Sequence, residues 1–579
     1  MFLRKVKYYL TFLILSIIFD FLHAQDINTR ITVVSPYEPS VGTAQKINFL
    51  PVFSDTLYLQ PSFRYSIFPQ KLMVDYQPRP IAPAKMVSDP QPRLYKSYLV
   101  MGMGNKVTPL VELNIASVRN EKYAVGFYGK HQSSHSDLKI DNGQKMWAGY
   151  NDNVAGLYGK YIGKKITFSA DGGADHQTVY YYGFNGDTNH IPYGKDDLRQ
   201  DFLGLSANVK AESNHPGDSN RLYYRIGGSY RYLTDKFLTG SFFRNFEHGT
   251  HVNALFSKNV KGFYVSVDGR VDNYNRSSSM DTLTNTLITL HPAVMKSATD
   301  WRFRVGVKTI INHLGENSFW SAYPDIHFEF NAVQDVVRMY MGMEGGLKDN
   351  SYAEIVKENP FIVPNLVVRN QNPKEDQGGL TREKLSVLAG LKGSLSHAFE
   401  FNLFASYGKI SNQYFFINDT VNRFFFPGEN KYVAGNQFIT VYDDVELLRF
   451  VGEGNVRVSS SFSTSGRIEI NNYKTFKEEK PWNVPACKVS LIPRYTLRNK
   501  IFVEIPVYYF GKRYALSPVT HQVISMKDIV DINLFLEYRY TKLISLFLRF
   551  NNMAAFRYSY WNQYPLQRFF VMAGFTYSL

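Results

Sequence analysis

Apolar and polar residues alternate one by one along most of this chain. Over 530–540, Val530, Ile532, Leu534, Leu536, Tyr538 and Tyr540 share one side, and Asp531, Asn533, Phe535, Glu537 and Arg539 share the other. The same beat sets Phe263, Val265, Val267 and Val271 against Tyr264, Ser266, Asp268 and Arg270. It sets Trp301, Phe303, Val305 and Val307 against Arg302, Arg304 and Lys308, and Phe399, Phe401, Leu403 and Tyr407 against Glu400, Asn402 and Ser406. Near the start, Val111, Leu113 and Ile115 oppose Glu112, Asn114 and Ala116. A period of two sends successive side chains of a β-strand to opposite faces. The pattern therefore predicts an all-β fold of antiparallel strands.

Half-exposed strands of a soluble sandwich or propeller alternate as well. Two features point elsewhere. Full charges recur at the polar positions and large aromatics at the apolar ones. The connections also alternate in length: 120–122, 163–164, 498–499 and 541–542 read as tight turns, whereas 132–150, 185–200, 348–382 and 511–527 are long and polar. Short turns at one end and long loops at the other are the build of a large transmembrane antiparallel β-barrel. The pattern predicts about 20–22 strands, the size class whose lumen is wide and usually plugged. After the N-terminal 24 residues no stretch reaches the ~18 consecutive apolar residues of a spanning helix, so any crossing is by strands.

The N-terminus reads as an export signal over 1–24: Arg4, Lys5 and Lys7, a short apolar run, and Leu22-His23-Ala24 before Gln25. Residues 25–94 read as a Pro-rich, extended periplasmic segment with a short strand at 57–65, and 95–579 as the barrel. Ten prolines stand between Gln25 and Arg93, and each removes a backbone donor that a helix or central strand would use.

Bulk composition is silent about a membrane, with 44% apolar residues and a mean hydropathy of −0.26. The aromatics are not: 41 Tyr, 44 Phe and 5 Trp make 16% of the chain, a supply that suits interfacial girdles. The formal charge of +15 is spread along the chain, which argues against a nucleic-acid partner. A single cysteine, Cys487, excludes an intrachain disulfide and a thiolate metal cluster.

At the C-terminus, Phe569, Val571, Ala573, Phe575, Tyr577 and Leu579 alternate with Phe570, Met572, Gly574, Thr576 and Ser578. An amphipathic last strand with an apolar final residue resembles the signal read by the barrel assembly machinery, although Leu579 stands where Phe is usual. Before it come Asn551-Asn552, then Tyr558-Ser559-Tyr560-Trp561-Asn562-Gln563-Tyr564-Pro565, then Arg568-Phe569-Phe570. This series resembles the end of TonB-dependent receptor barrels, and the chain as a whole is similar in style to barrels of Bacteroidota. The resemblance implies residence in the cell outer membrane, uptake in place of enzyme chemistry, and no cofactor. It implies outer-membrane lipids, the assembly machinery, and TonB or a lipoprotein as partners. It also implies a plug, and here the chain departs from the family, because 25–93 is too short and too rich in proline for the usual plug domain. Ile31-Thr32-Val33-Val34-Ser35 resembles the TonB box, a segment that binds by strand addition. Two readings stay open: a receptor-like transporter, or a plugless barrel serving as a structural or assembly subunit.

Arg302, Arg304, Lys308, Arg338, Glu344, Glu400, Glu537 and Arg539 are expected on the lumen face, where charges set pore selectivity or satisfy one another. His131, His135 and Asp137 have metal-ligand chemistry but read as solvated loop. Asp187, Asp196, Asp197 and Asp201 lie in or beside a long loop without the spacing of an EF-hand. No Gly-x-Ser-x-Gly elbow or His-Glu-x-x-His motif is present.

Overall fold

The computed structural model describes residues 94–579 apart from 119, 141–142, 185–193, 215–220, 238–244, 278–281, 364–378, 397 and 420–434. The export signal, the strand expected at 57–65, and Ile31, Thr32, Val33, Val34 and Ser35 lie outside the described residues.

One antiparallel sheet takes up 24 strand segments in chain order. Its first strand, Ser97–Gly104, pairs with Thr108–Ala116 on one side and with the last strand, Phe570–Ser578, on the other, so the sheet closes. Two strands are each split into two segments. Ile501–Glu504 and Val507–Phe510 keep one register, with Glu504 opposite Phe535 and Val507 opposite Ile532 across the gap. The break falls where Pro506 has no N–H to give the ladder. Its partner, read from sequence as one run over 530–540, divides into Ile529–Ile532 and Leu534–Arg539. Counting each as one strand gives a closed all-β barrel of 22 strands.

The two faces follow the alternation. Val305, Val307, Leu403, Leu546 and Leu548 are exposed on the outer surface, with Trp320 at 69% and Leu157 at 64%. Exposed apolar side chains recur in this way from strand to strand, as the alternation predicts. The inner face buries Glu112, Asp272, Arg276, Asp325, Glu537 and Arg549.

Tight turns close one end. Arg498 and Asn499 both have positive φ, 49° and 55°, and Lys500 N donates to Leu497 O at 2.9 Å, the geometry of a two-residue hairpin turn that matches strand twist. At 120–123 the Asn120 carboxamide accepts from the Lys122 and Tyr123 N–H groups. The long loops gather at the opposite end, and strand length there varies: Phe399–Asn418 and Phe438–Arg457 have 20 residues each, the closing strands 8 and 9. His131 lies within the strand Tyr123–Ser134 and not in a loop, because the alternation continues to Ser134 before the chain turns.

Candidate functional site: the capped lumen

At the loop end the barrel carries a second core made by its own loops. Leu138, Ile140 and Met146 come from one loop, Tyr181, Tyr182, Phe184 and Leu198 from the next, Tyr352 to Val363 from a third, and Trp561 and Tyr564 from the last. Phe361 stacks on Tyr564 with ring centroids 3.9 Å apart, and Tyr182 meets Tyr564 edge-on at 4.9 Å. Trp561 packs on Phe416 and Phe438 at 5.2 and 5.6 Å. Polar ends of these rings are satisfied across loops: Tyr181 Oη donates to Ile362 O at 2.6 Å, Tyr182 Oη to Pro565 O at 3.1 Å, and Tyr564 Oη to Asn436 O. Gly183 is required by this packing, since a Cβ there would lie 2.5 Å from the Tyr564 ring. The aromatic series singled out near the C-terminus is thus the centre of the cap.

A short helix, Tyr352–Glu358, latches the third loop to the wall. Ser351 caps it, its hydroxyl accepting from Glu354 N, and Asn359-Pro360 follow its end. Glu247, from the wall strand Phe246–Val260, accepts from the Tyr352 and Ala353 N–H groups at 2.6 and 3.1 Å, placing a carboxylate at the positive helix end. Arg231 reaches Glu354 Oε1 at 2.7 Å and Ser351 Oγ at 3.0 Å. Tyr352 Oη donates to Asp235, and Arg276 lies 4.7 Å over the Tyr352 ring. At the other end Tyr414 Oη donates to Glu358. Five wall strands separate Phe263–Ser277, which carries Arg276, from Phe399–Asn418, which carries Tyr414, so the helix bridges distant sectors of the wall. Sequence reading left 348–382 as polar loop; the signal for the helix was Ser351-x-x-Glu354 ahead of an Asn-Pro stop.

Burial pushes the Asp349 carboxyl up to about 7, and the nearby Glu247 carboxylate acts in the same direction. Between about pH 4 and 7 the closed loop therefore holds a proton that a released loop has lost. The closed loop loses stability as pH rises through that window and is constant above it. A nitroxide on Lys357→Cys, with Cys487→Ser, should grow more mobile from pH 4 to 7, and Asp349→Asn should remove the trend. Equal pH dependence in both proteins would refute this.

Below the cap the wall is laced with charge. Arg304 pairs with Asp325 at 2.9 Å, and Glu344 stands 3.9 Å from His327. Arg338 lies 3.8 Å from Glu329, with Nε donating to Asn331, and Lys308 donates to Gly345 O at 3.4 Å. Glu537 is 3.7 Å from Arg539, whose guanidinium lies 3.8 Å from the Phe502 ring centre. Arg302 and Glu400 each stand one residue from the turn-end start of their strands, Trp301–Leu314 and Phe399–Asn418. Of the terminal series, Val571, Ala573, Phe575 and Tyr577 lie in the strand Phe570–Ser578, flanked by Phe569 and Leu579. His131 Nδ1 lies 2.7 Å from Asn153 Oδ1, and His135 packs edge-on to Trp147. The described residues do not bring these histidines together with Asp137 as a ligand set.

No protein-family model matches the sequence, and no curated protein does either. Solved structures do share the fold. The FrpB iron transporter from Neisseria meningitidis superposes with a TM-score of 0.65 at 9% identity, over 84% of this chain and 82% of its own. The ferric-catecholate import receptor Fiu from K12 E. coli gives 0.60 at 10% identity, over 84% and 82%. The copper transporter OprC gives 0.60 at 9%, over 85% and 84%.

Proposed function

We propose that this protein is an outer-membrane uptake barrel of the TonB-dependent receptor type, with the loop cap as its outer gate. Residues 1–24 serve for export. Residues 25–93 act as a reduced plug and periplasmic arm, with Ile31 to Ser35 offering an edge for strand addition by TonB. The observation that carries this reading is a closed 22-strand barrel whose loop end holds an aromatic core built by its own loops. A wall of that size encloses a lumen far wider than an ion needs, and a gate held by specific contacts has a use only where something is admitted. The fold shared with iron, ferric-catecholate and copper transporters supports it. The wall charges, Arg302, Arg304, Lys308, Arg338, Glu344, Glu400, Glu537 and Arg539, line the path. Single-channel conductance of the mature barrel in a planar bilayer, with and without 25–93, tests the assignment. The full-length barrel is expected to be closed, and steady conductance is expected only when removal of the segment is combined with Tyr564→Ala, which releases the cap. Large, steady conductance in both would overturn it and favour a scaffold filled by a partner protein.

A further inference from the structure

Three wall strands, Trp301–Leu314, Asn317–Val333 and Val337–Lys348, set out a small grid on the lumen face. Arg304, His327 and Gly342 lie in one cross-strand row, and Gly306, Asp325 and Glu344 in the next. His327 follows Asp325 by two residues and so shares its face; Glu344 is the residue opposite Asp325. His327 Nε2 lies 2.9 Å from Asp325 Oδ1 and 3.9 Å from Glu344 Oε2. One nitrogen and two carboxylate oxygens thus lie within 4.8 Å of one another.

The geometry points to a site for a first-row divalent transition-metal ion, held by His327, Asp325 and Glu344 in the barrel wall. Donors about 2.1 Å from such an ion sit roughly 3–3.5 Å apart, a spacing that a small rotation of Glu344 completes. The other oxygen of Asp325 is engaged from behind: His291 Nε2 stands 2.8 Å and Arg304 Nη2 2.9 Å from Oδ2. This is the arrangement in which outer groups fix a ligand carboxylate and leave its free oxygen aimed at the ion. Arg304 and His291 therefore occupy the side away from the metal and do not compete for its position. The missing side chains make the room. A Cβ on Gly342 would lie 2.8 Å from His327 Nδ1, and one on Gly306 would lie 3.0 Å from His291 Nε2. Side-chain exposures of 35% for His327 and 38% for Glu344 leave the remaining coordination positions to the lumen. One imidazole with two carboxylates suits the Mn²⁺ to Zn²⁺ series, whereas Mg²⁺ and Ca²⁺ take all-oxygen sets. The neighbouring Met339 and Met341 are exposed on the outer face and are not among the donors.

Titration of the purified full-length protein with Co²⁺, followed by its visible absorption, and with Zn²⁺, followed by heat, tests the site. One equivalent is expected, unaffected by excess Mg²⁺. His327→Ala and Glu344→Gln should each weaken binding about tenfold or more. Glu329→Gln, two residues further along the same face, should leave it unchanged. Heat-shifted migration on a gel verifies that each barrel is folded; if His327→Ala is not, Glu344→Gln carries the test alone. Absence of saturable Co²⁺ or Zn²⁺ binding, or equal binding by wild type and Glu344→Gln, would overturn the site.

Discussion

Glu247→Ala should free the helix Tyr352–Glu358 from the barrel wall and open the loop end. The carboxylate is 3% exposed and accepts two helix N–H groups, with Arg231 Nη2 3.9 Å away. Truncation leaves two buried donors and the positive helix end without an acceptor. Losing one partner of such a buried charged set costs about 3–5 kcal/mol. Relief of its repulsion with Asp349 works the other way, but a single like-charge term of roughly 1 kcal/mol is the smaller effect. The barrel itself should survive, because residue 247 keeps its backbone pairing to Leu233 and Arg276. A nitroxide at Lys357→Cys should become fully mobile in the variant, and Glu247→Gln, which keeps an acceptor, should lie in between. An immobile label in Glu247→Ala would show that the aromatic core alone holds the loop.

Tyr564→Ala should melt the cap as a unit. The ring is fully buried between Phe361 and Tyr182, and its hydroxyl serves Asn436 on another loop. Emptying such a site costs about 3–5 kcal/mol. Because one side chain ties three loops together, hydrogen exchange should accelerate in peptides carrying Tyr181, Ile362 and Asn436 simultaneously, while the wall strands keep their protection. Gly183→Val should act alike by forcing side-chain atoms into the Tyr564 ring. The two changes meet at one contact, so the double variant should cost less than their sum. Full additivity, or faster exchange confined to the loop that holds residue 564, would argue against a single cooperative cap.

The wall was legible in the sequence because a barrel repeats one rule. Every strand must show apolar residues outward, so Val305 and Val307 beside Arg304, or Leu403 beside Asn402, announce their faces without reference to any neighbour. The ends were legible for the same reason: a two-residue hairpin favours a residue such as Asn499 that tolerates positive φ, and a long polar insertion cannot lie in hydrocarbon. The cap was not legible. Its residues are drawn from loops hundreds of positions apart, and Tyr181, Phe361 and Tyr564 acquire a common environment only after closure of the barrel brings the loops over one mouth. The C-terminal aromatic series was noticed for its resemblance to a family, and its packing role follows from the fold alone. Asp325 and His327 were missed because two polar residues two apart are ordinary on a lumen face; Glu344, expected there as a charge, gains its partners only from strand register.

The unequal strands give the mouth a slope. Twenty residues of strand run about 65 Å, against about 26–30 Å for the closing pair, and the hydrocarbon they all must cross is the same. The surplus stands beyond the membrane as a parapet on one side, while the seam between the first and last strands remains a low threshold. The loop that carries Trp561 and Tyr564 rises beside that threshold and rests on Phe416 and Phe438 of the two longest strands, so the cap leans from the low side onto the high one.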